Sequence, residues 1–251
     1  MDKKKYDKYR YFLKDSIRQK VDFAMTDQMK GVPPPPVVKP HGEGKPGVHL
    51  TPPSELAEFG SIPLMDAIRQ RHSRRNYKDI PLSIEELSWL LWATQGIVRE
   101  VGEGTAFRTV PSAGCRHAFE TYLFVFNVKG LEEGIYRYLP DEDMLWEVSR
   151  PVNMAVKLAD ATLGQDFTAH SAVTFAWTCI PHRMEWRYAE AAHKVIAIDI
   201  GHVCQNLYLS VEAIGAGTCA IGAYHQEAMD ALLGVDGDEE FTIYLAPVGR
   251  I

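Results

Sequence analysis

Cysteine is scarce in this sequence. Four occur in 251 residues, none in a C-x-x-C pair, so neither a dense disulfide framework nor a four-thiol zinc site is expected. Cys179 and His182 are spaced as two ligands, but no second pair completes a metal site. Positive charge is not in excess either. Lys plus Arg number 27 against 33 Asp plus Glu, a net charge of -6, whereas a general nucleic-acid binder shows a basic domain or stripe. No apolar run approaches the roughly 18 to 20 residues that span a bilayer. The opening MDKKKYDKYRYFLKDSIRQK has no apolar signal core, so a cytoplasmic location is expected. Neither G-x-x-x-x-G-K-[ST] nor G-x-S-x-G occurs. Gly215-Ala-Gly217-Thr-Cys-Ala220 fits G-x-G-x-x-A, yet it follows a helical pattern and opens a β-type one, the reverse of a dinucleotide site.

What is present is an ordinary globular composition, 46% apolar and 24% charged. Residues 1 to about 30 read as short polar helices. Residues 33–53 carry eight of the fifteen prolines, an extended packing arm more readily than an SH3-type ligand. We therefore divide the chain into an arm, 1–55, and a compact domain, 56–251. PLMDAIRQRH is a short helix. Ser83-Ile-Glu-Glu86 is a capping box that opens a buried helix ending at Gly96. Residues 121–128, two short runs around Pro140-Asp143, residues 171–180 and the terminal FTIYLAPVGR read as strands. A long helix is expected from Ala189 to Ile214, with Ile196, Ile200, Val203, Leu207 and Val211 at three- and four-residue steps and Gly215 closing it. Gln205 and Asn206 lie inside it as structural polar groups. Helices and strands mix without strict alternation, so the fold class is α+β.

RQRHSRRNYKD, residues 69–79, concentrates four arginines in seven positions. In an extended chain Arg71, Ser73 and Arg75 point one way and Arg74 the other, into solvent. Two guanidiniums and a hydroxyl on one face would suit a phosphate. A solvated helix end and a nucleic-acid patch are the alternatives this stretch leaves open. Downstream, RTVPSAGCRHAFETYLFV passes through small residues that would let backbone approach a flat ligand.

Five stretches, in order, resemble the nitroreductase family of flavoproteins, and its SagB-type dehydrogenase branch most. They are RHSRRNY with PLSIEELSWLLWATQGI, RTVPSAGCRHAFETYLFV, GLEEGIYRYLP, AIDIGHVCQNLYLSVEAIGAGTCAIGAY and the final LAPVGR. The resemblance covers about three quarters of the chain. It implies a mixed central sheet flanked by helices, a long central helix at a homodimer interface, and FMN as cofactor. By the same resemblance Arg71 and Ser73, with His72 beside them, hold the FMN phosphate. Arg75 reaches the flavin N1–O2 edge and Arg250 closes on the phosphate. Pro111, Ser112 and Gly114 form a turn against the flavin, and Ile221 and Gly222 bring backbone to N5. NADH or NADPH is implied as donor, and a nitroaromatic, quinone or enone as acceptor, in a ping-pong cycle. SagB-type enzymes carry a Lys-Tyr pair where this chain has Arg187-Tyr188. An arginine stays charged and is a poor general base, so Tyr188 is expected to position substrate. The alternatives are FMN-dependent oxidation of a peptide or heterocycle, and flavin storage without turnover.

Overall fold

The computed structural model describes residues 3–42, 47–102 and 104–251. Residues 43–46, inside the expected proline-rich arm, and Glu103 lie outside the described residues.

Two strands set the centre of the molecule. β4 (Phe119–Val125) and β7 (Val173–Cys179) are buried along their whole length, as FETYLFV and VTFAWTC allow. They pair antiparallel with Phe119 opposite Cys179 and Val125 opposite Val173. A central strand alternates its side chains between two covered faces. Phe119, Leu123 and Val125 join one apolar cluster with α3 (Ile84–Gln95) and α6 (Ala192–Glu212). Tyr122 and Phe124 join a second with α4 (Met154–Ala161) and α7 (Gln226–Leu233). The fold is thus a helix–sheet–helix sandwich of the α+β class.

β1 (Val48–His49), β5 (Gly134–Leu139), β6 (Met144–Ser149), β8 (Ala216–Thr218) and β9 (Phe241–Arg250) complete a seven-stranded sheet in the order β1-β6-β5-β4-β7-β9-β8. Every pairing between named strands is antiparallel. Parallel pairing is confined, among the described residues, to two isolated bridges, Ser73 to Thr218 and Leu82 to Val128, so the sheet expected to be mixed is mainly antiparallel. A separate hairpin, β2 (Ile97–Gly102) with β3 (Thr105–Arg108), has no counterpart in the sequence reading. Its alternation is blurred by bulges and by exposure on both faces.

The capping box forms as its sequence dictates. Ser83 Oγ accepts from the Glu86 N–H at 3.2 Å, and the Glu86 carboxylate accepts from the Ser83 N–H at 2.8 Å. The long helix starts later than its periodicity implies. α5 (His182–Tyr188) precedes it, and Ala189, at φ 45°, breaks the run before α6 begins at Ala192. The left-handed residue beyond α6 is Gly215, at φ 64°.

The proline-rich arm is strapped to the body. Prolines lack an N–H, so their segment cannot join a ladder and its carbonyls need donors. Trp186 Nε1 donates to Val32 O, Arg116 to Pro35 O, Arg108 to Val37 O and Arg137 to Pro40 O. The Lys39 N–H donates to Glu120, and its ammonium pairs with Glu240.

Candidate functional site

α2 (Leu64–Gln70) ends at Arg71, and the chain then runs extended over the edge formed by β8 and β9. Two facing glycines make this possible. Gly217 opposes Gly249 across the β8–β9 ladder. A Cβ at Gly217 would meet Arg74 at 2.9 Å, and one at Gly249 would meet Tyr77 at 2.8 Å. The flat seat lets Arg74 N–H donate to Thr218 O, and Tyr77 donate its hydroxyl to Arg74 O and Pro247 O. Above it opens a cavity of about 600 Å³ lined by His72, Ser73, Arg74, Arg75, Asn76 and Ile251.

The side chains of this segment do not form one fork. Arg71 stacks on the Tyr208 ring at 5.3 Å, and Ser73 Oγ shares a 2.8 Å hydrogen bond with the Tyr208 hydroxyl. Arg75 instead lies over Phe167, 5.9 Å from its centroid. The single-anion fork expected of these three residues is therefore resolved into two positions, one at Tyr208 and one at Phe167. Arg74 was expected in solvent. It is half-buried against Gly217, and its Nε is buried without a hydrogen-bond partner among the described residues. His72 turns back to the helix end, with Nδ1 at 2.7 Å from Gln70 O. Arg250 does not line the cavity. Its guanidinium is held by the Ile214 carbonyl and by Glu86 at 2.5 Å, which ties β9 to the cap of α3.

Tyr208, on α6, organises the neighbourhood. Its hydroxyl also accepts from the Ala220 N–H at 2.8 Å, so one atom clips the arginine segment to the loop after β8. In that loop Ile221 exchanges both backbone hydrogen bonds with Leu245, so its N–H is spent inside the sheet. Of the two residues expected to offer backbone to a ligand, exposed Gly222 is the one whose N–H has no partner among the described residues.

The Pro111–Gly114 turn is held from the same helix. Asp199, buried on α6, accepts from the Ala113 N–H at 3.0 Å and bonds the Ser112 hydroxyl. Burial pushes its carboxyl above the usual range, and these hydrogen bonds oppose the shift. Ser112 Oγ accepts from His117 N–H at 3.0 Å. Gly114, Cys115 and His117 all have positive φ, of 61°, 55° and 46°. Non-glycine residues at such angles carry strain that the surroundings must hold. Pro111 is exposed at the rim. Tyr188, expected to position substrate, lies against the turn at Gly114. A Cβ at Gly114 would sit 2.6 Å from its hydroxyl. Tyr188 thus does not line the cavity of the arginine segment.

Tyr208 and Asp199 escaped the sequence reading. Asp199 left a trace, an acid among the apolar steps Ile196, Ile200 and Val203, where a charge needs a partner. Tyr208 left none, because an aromatic beside Leu207 looks like core. Asn206 is structural as expected, donating to Ala93 O at 2.8 Å. Among the described residues no cluster of three or more His, Cys, Asp or Glu could hold a metal ion, and no helix is long and apolar enough to cross a membrane.

Comparison with known proteins gives a consistent picture. The family model described as Nitroreductase family matches residues 68–250. A Methanocaldococcus jannaschii protein named as a nitroreductase, MJ1384, is 33% identical over 196 residues, 78% of this chain and 95% of its own. The trifolitoxin-processing protein TfxB of Rhizobium leguminosarum bv. trifolii is 26% identical over 133 residues, 51% of this chain and 36% of its own. A crystal structure from Ralstonia eutropha JMP134, also named as a nitroreductase, superposes with a TM-score of 0.67 at 25% identity. That match covers 87% of this chain and 93% of the other.

Proposed function

The chain belongs to the nitroreductase family and is an oxidoreductase, and from that premise we propose that it works as an FMN-dependent homodimer. The observation that carries the reading is uncompensated charge. Arg74 and Arg75 line one cavity, Arg71 stacks on Tyr208 just before it, and none of the three is paired with a carboxylate among the described residues. Such a donor set fits a phosphomonoester, which needs several charge-assisted hydrogen bonds when partly desolvated. Arg71 and Ser73 would hold the phosphate, kept in place by Tyr208. Arg75 would serve the flavin N1–O2 edge, where a cation favours the reduced anion. The Gly222 N–H would face N5, and the Ser112–Gly114 turn would lie against the ring. Arg250 would act from behind, by fixing β9, or join the phosphate only by leaving Glu86. Flavin supplies the hydride chemistry when bound. The chain's residues bind it, orient it and shape the cleft.

The homodimer is supported by an inverted helix. On α2 only Ala67 is buried, while Leu64, Met65 and Ile68 are 66%, 68% and 59% exposed. Ala197, Ile198 and Gly201 on the outer side of α6 add a narrow apolar surface. A second copy of this chain would cover both.

We take NADH or NADPH as donor and a nitroaromatic, quinone or enone as acceptor. A second reading, oxidation of a peptide or heterocycle, is favoured by the likeness to TfxB, a protein named for processing trifolitoxin. One experiment separates them. The purified protein should absorb near roughly 370 and 450 nm and be bleached anaerobically by NADPH or NADH. A yellow protein bleached by neither would favour the oxidase reading or storage. The Arg71→Ala, Arg75→Ala double variant should purify without flavin, and full retention would overturn the site.

A further inference from the structure

Residues 18–29 precede the family-matched region, yet they build a wall of a second cavity. It measures about 490 Å³ and lies between this segment and the end of α5, lined by Arg18, Phe23, Thr26, Met29, Arg187 and Tyr188 among others. Its volume is in the range of small-molecule sites. Gln28 N–H to Trp186 O and Trp186 Nε1 to Val32 O fix the wall against α5.

Arg187 lines this cavity, and Arg116, Arg183 and Arg108 lie behind it, close enough for their like charges to act on one another. Arg183 is matched by Glu120 at 2.5 Å, deep in the body. Arg108 and Arg116, both buried, have only an amide and carbonyls as acceptors: Gln95 and Val37 for one, Gly104, Pro35 and Arg183 O for the other. Arg187 has no hydrogen bond or ion pair among the described residues, only a ring contact with Tyr188 at 5.7 Å. The Tyr188 hydroxyl has no hydrogen-bond partner either. Of the nearby acids, Glu185 pairs with His193 and Asp15 with the Arg18 Nε. Burial, then the like charges of Arg183 and Arg187, press Arg116 below the usual guanidinium value. Buried charge ordinarily has a counter-charge. Among the described residues Glu120 is the one carboxylate hydrogen-bonded to Arg108, Arg116, Arg183 or Arg187, and the Arg187 guanidinium and the Tyr188 phenol line the cavity without hydrogen-bond partners.

We propose that this cavity binds a small organic acid, its carboxylate held by Arg187 and the Tyr188 hydroxyl and its apolar body packed on Phe23 and Met29. Gly114, in the turn proposed to lie against the flavin, faces the Tyr188 hydroxyl and the Arg187 side chain, so the cavity adjoins the proposed flavin site. Resting on that reading, the inference names the substrate class: acceptors that carry a carboxylate. Arg187 offers a planar fork that matches a carboxylate in two bonds, which an ammonium cannot do.

The test is calorimetric titration of 4-nitrobenzoate and of neutral 4-nitrobenzamide into the full chain, as wild type, Arg187→Gln, Arg187→Lys and Tyr188→Phe. Losing a charge-assisted contact costs about tenfold to a hundredfold in affinity. The acid should bind wild type more tightly than the amide by about that factor. Arg187→Gln should erase the preference, Arg187→Lys restore part of it, and Tyr188→Phe reduce it. An acid that binds no better than the amide, or whose affinity survives Arg187→Gln, overturns the proposal. The titration scores the cavity with or without flavin. A colourless protein that favours the acid sinks the FMN reading alone. A yellow, donor-bleached protein indifferent to the carboxylate sinks the inference alone.

Discussion

Tyr208→Phe is the sharpest perturbation of the cradle, because one oxygen atom is removed and the ring under Arg71 stays. Wild-type Tyr208 bridges Ser73 Oγ and the Ala220 N–H, each at 2.8 Å. Ser73 is exposed, so its hydroxyl turns to water at almost no cost. Ala220 is half-buried, and an N–H left there without a partner costs about 1 to 2 kcal/mol, the lower part of the range for buried donors. For a chain of this length each kcal/mol lowers Tm by about 2 to 4 °C, so a fall of about 2 to 8 °C is expected by scanning calorimetry. The arginine segment would also lose its clip to the loop at Gly222. If the cradle holds the flavin phosphate, FMN titrated into the apoprotein should bind about fivefold to tenfold more weakly, the equivalent of about 1 to 1.4 kcal/mol. An unchanged Tm together with unchanged FMN affinity would show that the bridging hydroxyl organises nothing.

Three further outcomes are expected. Gly114→Ala forces a side chain into a left-handed residue at φ 61° and within 2.6 Å of the Tyr188 hydroxyl, so it should destabilise by about 1 to 3 kcal/mol in urea unfolding and displace Tyr188. Glu120→Ala strands Arg183 in the interior and takes the acceptor from Lys39 N–H, with an expected loss of about 3 to 5 kcal/mol and faster proteolysis of residues 32–40. Burial, then Arg108 beside it, pushes His117 down to about 3 from its usual 6.5. Between those values the unfolded chain holds a proton that the native chain lacks, so stability falls as pH drops below about 6.5. His117→Gln should flatten that slope in denaturation midpoints measured from pH 7 to pH 4, and an unchanged slope would place the titrating group elsewhere.

Much of the fold is legible in local pattern because local physics decides it. The Ser83 box caps α3, the apolar steps of α6 face the sheet, and the uninterrupted FETYLFV and VTFAWTC runs become central strands. The β2–β3 hairpin was not legible, since its exposed bulged strands carry no alternation to read. The arm's prolines announced an extended chain but not its clasp. That depends on arginines 108, 116 and 137, which the sequence places 70 or more residues away from the carbonyls they serve.

The site divides along the same line. By itself the sequence determined that four arginines crowd residues 69–75, that a turn of small residues follows, and that no competing nucleotide motif is in context. Only tertiary structure decided which of those groups are free. It committed Arg250 to Glu86 and the Ile221 N–H to Leu245, and among the described residues it left the Arg187 guanidinium and the Gly222 N–H without hydrogen-bond partners. Residue type and spacing set what a side chain can do, whereas availability depends on what long-range packing brings beside it, and each donor satisfied by the fold is one fewer for a ligand.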